Sequence, residues 1–308
     1  MYKEVLAEIK KSKSIVIFRH ENPDGDALGS AFGLKEFINL NFPEIKVYVS
    51  NKEKATLNKI FPLGDEITKK IIKKSLVIVV DTANTLRISG DDWDKCLKIV
   101  KIDHHPNKEP FGDLQLVDPK MSSTAEIITN FITLDPKFKI SKNLSKYLFT
   151  GIVTDTGSFR FSSVTANTFA MASILLRDNF KVNKVHEQLF VKSEAQTRYN
   201  GYVLENYKVA SSVAYFIAPK NIEDKFHVDY GYVSSAVWML MGAKDVKYGI
   251  YSTWDKVNKV YKVSLRSKSK PINKIAEHFN GGGHAQASGL KLKNKRQFKL
   301  VLDELKKL

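Results

Sequence analysis

Three metal-capable side chains, His20, Asp24 and Asp26, fall in one short stretch directly after an apolar run at residues 14–18. The run reads as a buried strand, and Pro23 with Gly25 forces a turn at its carboxyl end, where sheet-based folds place ligand groups. Asn-Pro-Asp-Gly is also ordinary turn chemistry, and either aspartate would serve as the cap of a helix over residues 27–40. That bland reading loses weight once the remaining acidic and histidine groups are counted. Asp81 ends an uninterrupted apolar run at 76–80, Asp103-His104-His105 follows a strand candidate at 97–102, and Asp155 sits within a Gly-Ile-Val-Thr-Asp-Thr-Gly stretch at 151–157.

The candidate ligands are therefore His20, Asp24, Asp26, Asp81, His104 and Asp155. Four carboxylates and two imidazoles, with no thiolate, suit hard to borderline cations such as manganese or magnesium. Six protein ligands are too many for one ion, whereas two ions about 3.5–4 Å apart share a carboxylate and a water. Asp81, alone at the end of the central run, is the choice for the shared ligand. Paired cations acidify water, neutralise phosphate charge and stabilise both oxygens of an in-line displacement, so phosphoester hydrolysis is the expected reaction. Asp103 is better placed to orient an imidazole than to hold metal, and His105 is free to contact phosphate or protonate the leaving oxygen.

These groups must be positioned by strands. Runs at 14–18, 46–50, 76–80 and 97–102, separated by helical stretches that include one near residues 52–61, predict a mainly parallel sheet flanked by helices. Ser123-Thr-Ala-Glu126 fits a capping box opening a helix through residue 134, and exposed amides there could meet an anion. A helix after Ser141 carries Asp155 near its end, and a further one spans 165–176, with Met171 as core. Residues 179–200 read as a polar, largely helical linker in which His186 is structural. Beyond Tyr202, strands at 213–218, 246–254 and 260–266, the last two forming a hairpin, predict a mixed or antiparallel sheet with one face covered. The expectation is an α/β protein with an N-terminal domain at 1–178, a linker at 179–200 and a smaller α/β domain at 201–308, the active site lying in the cleft between the domains.

Composition sets the outer limits. At 308 residues the chain can bury two cores, and 43% hydrophobic with 27% charged residues is a soluble balance. The apolar runs are too short to span a bilayer and the N-terminus lacks a signal-peptide pattern, which predicts a cytoplasmic protein. One cysteine, Cys96, excludes an intrachain disulfide and a thiolate cluster. The formal charge of +16 suits a polyanion, but the lysines are dispersed and form no arm for gripping long nucleic acid.

With these residues in hand, the chain resembles the DHH-family phosphoesterases that carry a DHH-associated C-terminal domain. The likeness covers nearly the full length and rests on five motifs in order: residues 20–27, Asp81, Asp103-His104-His105, residues 151–157, and Gly281-Gly-Gly-His-Ala-Gln-Ala-Ser-Gly289. It implies one manganese held by His20, Asp24 and Asp81 and a second held by Asp26, Asp81, His104 and Asp155, with magnesium as the alternative. It also implies substrate binding by Arg266 and by the loop of Gly281, Gly282, Gly283 and His284. Glycine amides approach phosphate closely and a guanidinium offers planar charge, although a plain glycine turn is the simpler reading of the loop alone. Arg160 is a second phosphate-contact candidate, a surface salt bridge being its alternative.

The subtype most resembled is the stand-alone bacterial oligoribonucleases that also dephosphorylate 3'-phosphoadenosine 5'-phosphate (pAp). The implied partners are pAp and very short single-stranded RNA of about two to five nucleotides, with no membrane and with a homodimer allowed. A phosphodiesterase for cyclic di-AMP or pApA is the neighbouring reading. A manganese pyrophosphatase shares the N-terminal motifs but lacks the Gly-Gly-Gly-His loop. A non-catalytic nucleotide or RNA binder predicts a damaged ligand set, and here all six positions are intact.

Overall fold

The computed structural model describes residues 1–50, 57, 59–177 and 180–308, the side chain of His284 excepted. Most of the helical expectation near residues 52–61 lies outside the described residues. The chain divides into two compact units, Met1–Val191 and Lys192–Leu308. The first runs α1 (Tyr2–Lys11), β1 (Ser14–Phe18), α2 (Gly25–Asn41), β2 (Lys46–Val49), α3 (Lys69–Ile72), β3 (Leu76–Val80), β4 (Lys98–Asp103), β5 (Leu114–Val117), α4 (Thr124–Ile132), α5 (Lys142–Asp155), α6 (Ala166–Leu176) and α7 (Val182–Phe190). The second contains α8 (Glu194–Asn206), β6 (Lys208–Ala210), β7 (Val213–Ile217), α9 (Ile222–Phe226), α10 (Tyr230–Ser234), β8 (Tyr248–Asp255), β9 (Val260–Ser267), α11 (Asn273–His278), β10 (Gly282–His284), β11 (Ala287–Leu292) and α12 (Lys295–Lys306). Segment 179–200 thus holds α7, grouped with the first unit, and the start of α8, grouped with the second.

The first sheet has the order β2-β1-β3-β4-β5 and every pairing is parallel. Parallel strands are covered on both faces, and β3 shows why its sequence is continuously apolar. Leu76, Ile78 and Val80 enter the core beneath α2, α4 and α5, while Val77 and Val79 pack on the other face with Ile72 and Ile88, against Trp93 and Phe111. Each such buried side chain contributes roughly 1.5–3 kcal/mol of hydrophobic stabilisation. Strand β5 was not foreseen, because four residues after a polar loop, of which only Leu116 is buried, carry little periodicity. The helix expected through residue 134 stops at Ile132, where Thr133 caps it.

Close approach of α2 to α5 aligns the two helices that carry acidic groups. A Cβ at Gly29 would lie 2.5 Å from the Tyr147 carbonyl, and one at Gly151 would lie 2.8 Å from the Asp26 carboxylate. Only glycine permits these contacts.

The second sheet has the order β10-β11-β9-β8-β7-β6 and is mixed: β7 and β8 are parallel, and the other pairings are antiparallel. Strand β9 alternates strictly, with Tyr261, Val263 and Leu265 buried in a core shared with Phe298, Val301 and Leu302 of α12. The hairpin between β8 and β9 is tied by Asp255, which accepts from the Val257 and Asn258 N–H groups at 3.0 and 2.9 Å.

Candidate active site

Three adjacent parallel strands deliver polar groups to one edge of the first sheet. His20 follows β1, Asp81 follows β3, and His104 and His105 follow β4, at the carboxyl ends where open sheets of this kind gather ligand groups. Asp81 has φ of 50°, a left-handed turn that aspartate tolerates better than most residues and that redirects the chain directly after β3.

The Asp81 carboxylate stands between two groups of potential ligands. Its Oδ2 lies 3.5 Å from His20 Nε2, which is 3.8 Å from Asp24 Oδ1. Its Oδ1 lies 3.6 Å from His104 Nε2, which is 3.1 Å from Asp155 Oδ2. Asp26, His104 and Asp155 form the second group, and His105 Nδ1 is also 3.6 Å from Asp81 Oδ1. Asp24 combines both roles weighed from the sequence: it caps α2 by accepting from the Asp26 and Ala27 N–H groups, and it faces His20.

Asp26 is fully buried, and its two oxygens accept from the Thr124 and Ala125 N–H groups at 2.7 and 2.9 Å. The N-terminus of α4 therefore already holds an anion, and that anion belongs to the protein. Ser123, a candidate for substrate contact through the amides it introduces, takes the helix-cap place that the capping-box reading gave it. It is wholly buried, and its hydroxyl accepts from Glu126 N–H at 3.0 Å as the α4 cap. Thr124, passed over in the sequence, does more, since its hydroxyl also donates to Asp81 Oδ1 at 3.1 Å. Residues 26 and 124 meet only through the fold.

The electrostatics of this cluster call for positive charge. Burial, with Asp81 and Asp155 nearby, pushes the Asp26 carboxyl well above its usual range, and burial with Asp81 and Asp24 raises Asp155. Burial draws the imidazoles of His20 and His104 down, but the surrounding carboxylates outweigh it and push both up to about 10. Asp155 also ends a helix, where the dipole disfavours negative charge. The buried His104 Nε2 has no well-aligned hydrogen-bond partner among the described residues. Buried carboxylates that cannot all ionise, together with imidazoles aimed among them, fit divalent cations by the chemistry of the donors.

Behind His105 runs a chain of contacts that begins inside the sheet. Asp103 Oδ1 accepts from His105 N–H at 3.1 Å and lies 2.8 Å from His105 Nδ1, so the imidazole is fixed with Nδ1 inward. Burial would raise the Asp103 carboxyl, yet His105 and Lys101 hold it below the usual range. Lys101, fully buried, places Nζ 3.4 Å from Asp103 Oδ2 and 3.0 Å from the Ala83 carbonyl, and lies over the Phe111 ring. Lysine two residues before aspartate on one strand was the available signal for this pairing.

Arg160 lies in an exposed turn where residues 157–159 all have positive φ, and its Nε donates to the Gly157 carbonyl at 2.6 Å. In the second unit, Arg266 is half-buried on β9. Its Nη1 donates to the Leu265 carbonyl at 2.8 Å, its Nε has no acceptor among the described residues, and burial lowers its pKa. The loop 281–284 is strand rather than free turn, since Gly282–His284 pairs with β11. A Cβ at Gly281 would lie 2.3 Å from the Gly289 carbonyl, and Gly283 has φ of 138°. The Gly281 N–H is engaged, donating to Ala276 O at 2.7 Å, whereas Gly282 faces open space.

Comparison with known proteins agrees with this arrangement. The sequence matches the DHH family, N-terminal domain, over residues 14–152 and the DHHA1 domain over residues 207–308. It is 36% identical to a probable bifunctional oligoribonuclease and PAP phosphatase NrnA of Streptococcus mutans, covering all of this chain and 98% of that one. It is 30% identical to the Bacillus subtilis protein named bifunctional oligoribonuclease and PAP phosphatase NrnA, with the same coverage. An exopolyphosphatase-related protein from Bacteroides fragilis superposes with a TM-score of 0.90 at 28% identity, covering 99% of this chain and 96% of that one. The chain belongs to the DHH family of metal-dependent phosphoesterases and carries a C-terminal DHHA1 domain.

Proposed function

We propose that this chain hydrolyses very short RNA to mononucleotides and dephosphorylates pAp to AMP. The observation that carries the reading is the Asp81 carboxylate, whose two oxygens address separate histidine–aspartate groups at the carboxyl edge of the sheet. The relatives named above support the substrate class. In the proposal, His20, Asp24 and Asp81 hold one divalent ion, and Asp26, Asp81, His104 and Asp155 hold the other, with manganese as the resident metal. Such ions, when bound, supply the positive charge that activates water and offsets the charge of the phosphate.

The protein's own groups do the remaining work. The amides of Thr124 and Ala125 and the Thr124 hydroxyl fix Asp26 and Asp81, so the ligand cluster is oriented before substrate arrives. Asp103 holds Nδ1 of His105, which directs Nε2 outward as the group that contacts phosphate and, when the ring carries a proton on both nitrogens, gives the Nε2 proton to the leaving oxygen and is left as the neutral Nδ1–H imidazole. Arg266 takes substrate phosphate. The domain division at 178 and 201 and a cytoplasmic location complete the proposal. Among the described residues, no helix is long and apolar enough to cross a membrane.

The experiment is hydrolysis by the purified chain, with manganese and with chelator, of pAp, pApA, cyclic di-AMP and RNAs from two to about twenty nucleotides. Metal-dependent release of mononucleotides from the shortest RNAs, with pAp also cleaved, is the expected result. Exclusive action on cyclic di-AMP or pApA would move the reading to second-messenger turnover. No hydrolysis would leave a binding module.

A further inference from the structure

One half of the second sheet is open on the face opposite its core. Antiparallel register pairs Arg266 with Ala287, Ser264 with Gly289, and Lys262 with Lys291, and partners across such a ladder project from the same side. The residues between them, Leu265, Val263 and Leu290, turn the other way into the core. Among the described residues, the open ladder therefore has cations at both ends and small residues in the middle; Lys262 at one end pairs with Asp255 of β8 at 3.6 Å, whereas Arg266 at the other has no carboxylate beside it. Gly289 is exposed, and a Cβ there would meet nothing nearer than the Val263 carbonyl at 3.5 Å. The surface is flat and basic.

Trp238 borders this surface. It belongs to a 3-10 segment, Ala236–Gly242, that covers β8 and is anchored by the buried side chains of Ala236, Val237, Leu240 and Met241. Met241 reaches the sheet because Gly249, the register partner of Arg266, has no side chain to meet it. From this fixed base Trp238 is 54% exposed, and the Arg266 guanidinium lies 5.0 Å from its ring centroid. An exposed indole on a rigid element, beside a guanidinium with no ion-pair partner among the described residues, is costly to maintain in water and well suited to a flat, anionic ligand.

We infer that Trp238, Arg266 and the floor of Ala287 and Gly289 form a nucleotide platform: Trp238 stacks on a nucleobase and Arg266 takes the adjoining phosphate. Trp238 thereby makes the chain prefer phosphates that carry a base. The substrate class is that of the proposed function, on which this inference rests. Charge disfavours a second copy of this chain as the occupant, because every chain carries a formal +16.

The test compares full-length wild type, Trp238→Ala, Trp238→Phe and Arg266→Ala in chelator, titrated calorimetrically with AMP and with ribose 5-phosphate, its base-free counterpart. A dinucleotide and the same dinucleotide with one abasic position are then compared as substrates with metal. Stacking predicts that wild type binds AMP roughly 5- to 150-fold more tightly than ribose 5-phosphate. W238A should erase that ratio, W238F should keep most of it, and R266A should weaken both ligands alike. The dinucleotide-to-abasic ratio of kcat/KM should collapse in W238A in the same way. A wild type with no preference for AMP, or a W238A protein that keeps the preference, overturns the inference while leaving hydrolysis intact. Failure of wild type to cleave any of the substrates overturns the proposed function instead.

Discussion

The two units treat charge in opposite ways. In the first, carboxylates are buried at strand ends and crowd one another, so Asp26 and Asp155 are held above their ordinary range and His20 and His104 are pushed up to about 10. In the second, Arg266, Ser264 and Lys262 stand on an open sheet face, and Asp255, a buried carboxylate held by local N–H groups, is drawn down to about 2 by Asn258. A crowded, buried cluster is poorly stable without cations and is therefore specific for them. An open face carries little strain and serves contact with a ligand. The proposed function assigns the chemistry to the first unit and recognition to the second, a division that mutation can break.

The largest expected effect is at the carboxylate shared by both ligand groups. Asp81→Ala should lower kcat by more than about 10²-fold. Its far-ultraviolet spectrum should stay native, while the rise in Tm that manganese gives wild type disappears; near-normal turnover would remove Asp81 from the centre. Arg266→Ala should act differently, raising KM roughly 10- to 100-fold with kcat nearly constant, as expected for a lost charge-assisted contact. An unchanged KM would deny the second unit a part in substrate binding.

A gentler probe lies between the helices. Gly151→Ala places a methyl group 2.8 Å from Asp26 Oδ1 and 2.6 Å from the Ala125 Cβ. Overpacking should cost about 1–3 kcal/mol in chemical denaturation, and the displaced Asp26 should weaken manganese affinity as well. A variant with wild-type affinity would show that the fit of α2 against α5 does not set the site.

Acidity separates the two imidazoles of the first unit from Asp255 of the second by sign. With chelator present, the folded first unit retains protons on His20 and His104 that the unfolded chain releases near 6.5. This contribution is complete below 6.5 and is lost as pH rises toward about 10, so chelated protein should melt at lower temperature as pH increases over that range. Asp255 has the reverse sign: its contribution is complete above 3.8 and is lost as pH falls through about 2. Asp255→Asn should flatten the acid limb slightly and leave the alkaline limb alone. Thermal scans of wild type and variant across pH 2–10 test both limbs.

By itself the sequence determined the parallel sheet and the strand ends that bear its polar groups. Strands buried on both faces favour apolar runs; that at 76–80 is continuous and stops directly before Asp81, that at 14–18 stops one residue before His20, and the lysine-interrupted strand at 97–102 runs into Asp103. What the tertiary structure decided are contacts between distant residues, for which one chain carries no local pattern. The α4 amides were spent on Asp26 rather than left for substrate, because a buried carboxylate 98 residues away needed donors. The glycine loop became an edge strand, since β11 came close enough that no side chain fits at Gly281. Trp238 is one more apolar residue in the sequence until packing buries its neighbours and leaves its ring outside, beside a guanidinium 28 positions further along the chain. Periodicity records which residues leave water, whereas the partners they meet depend on how the elements pack.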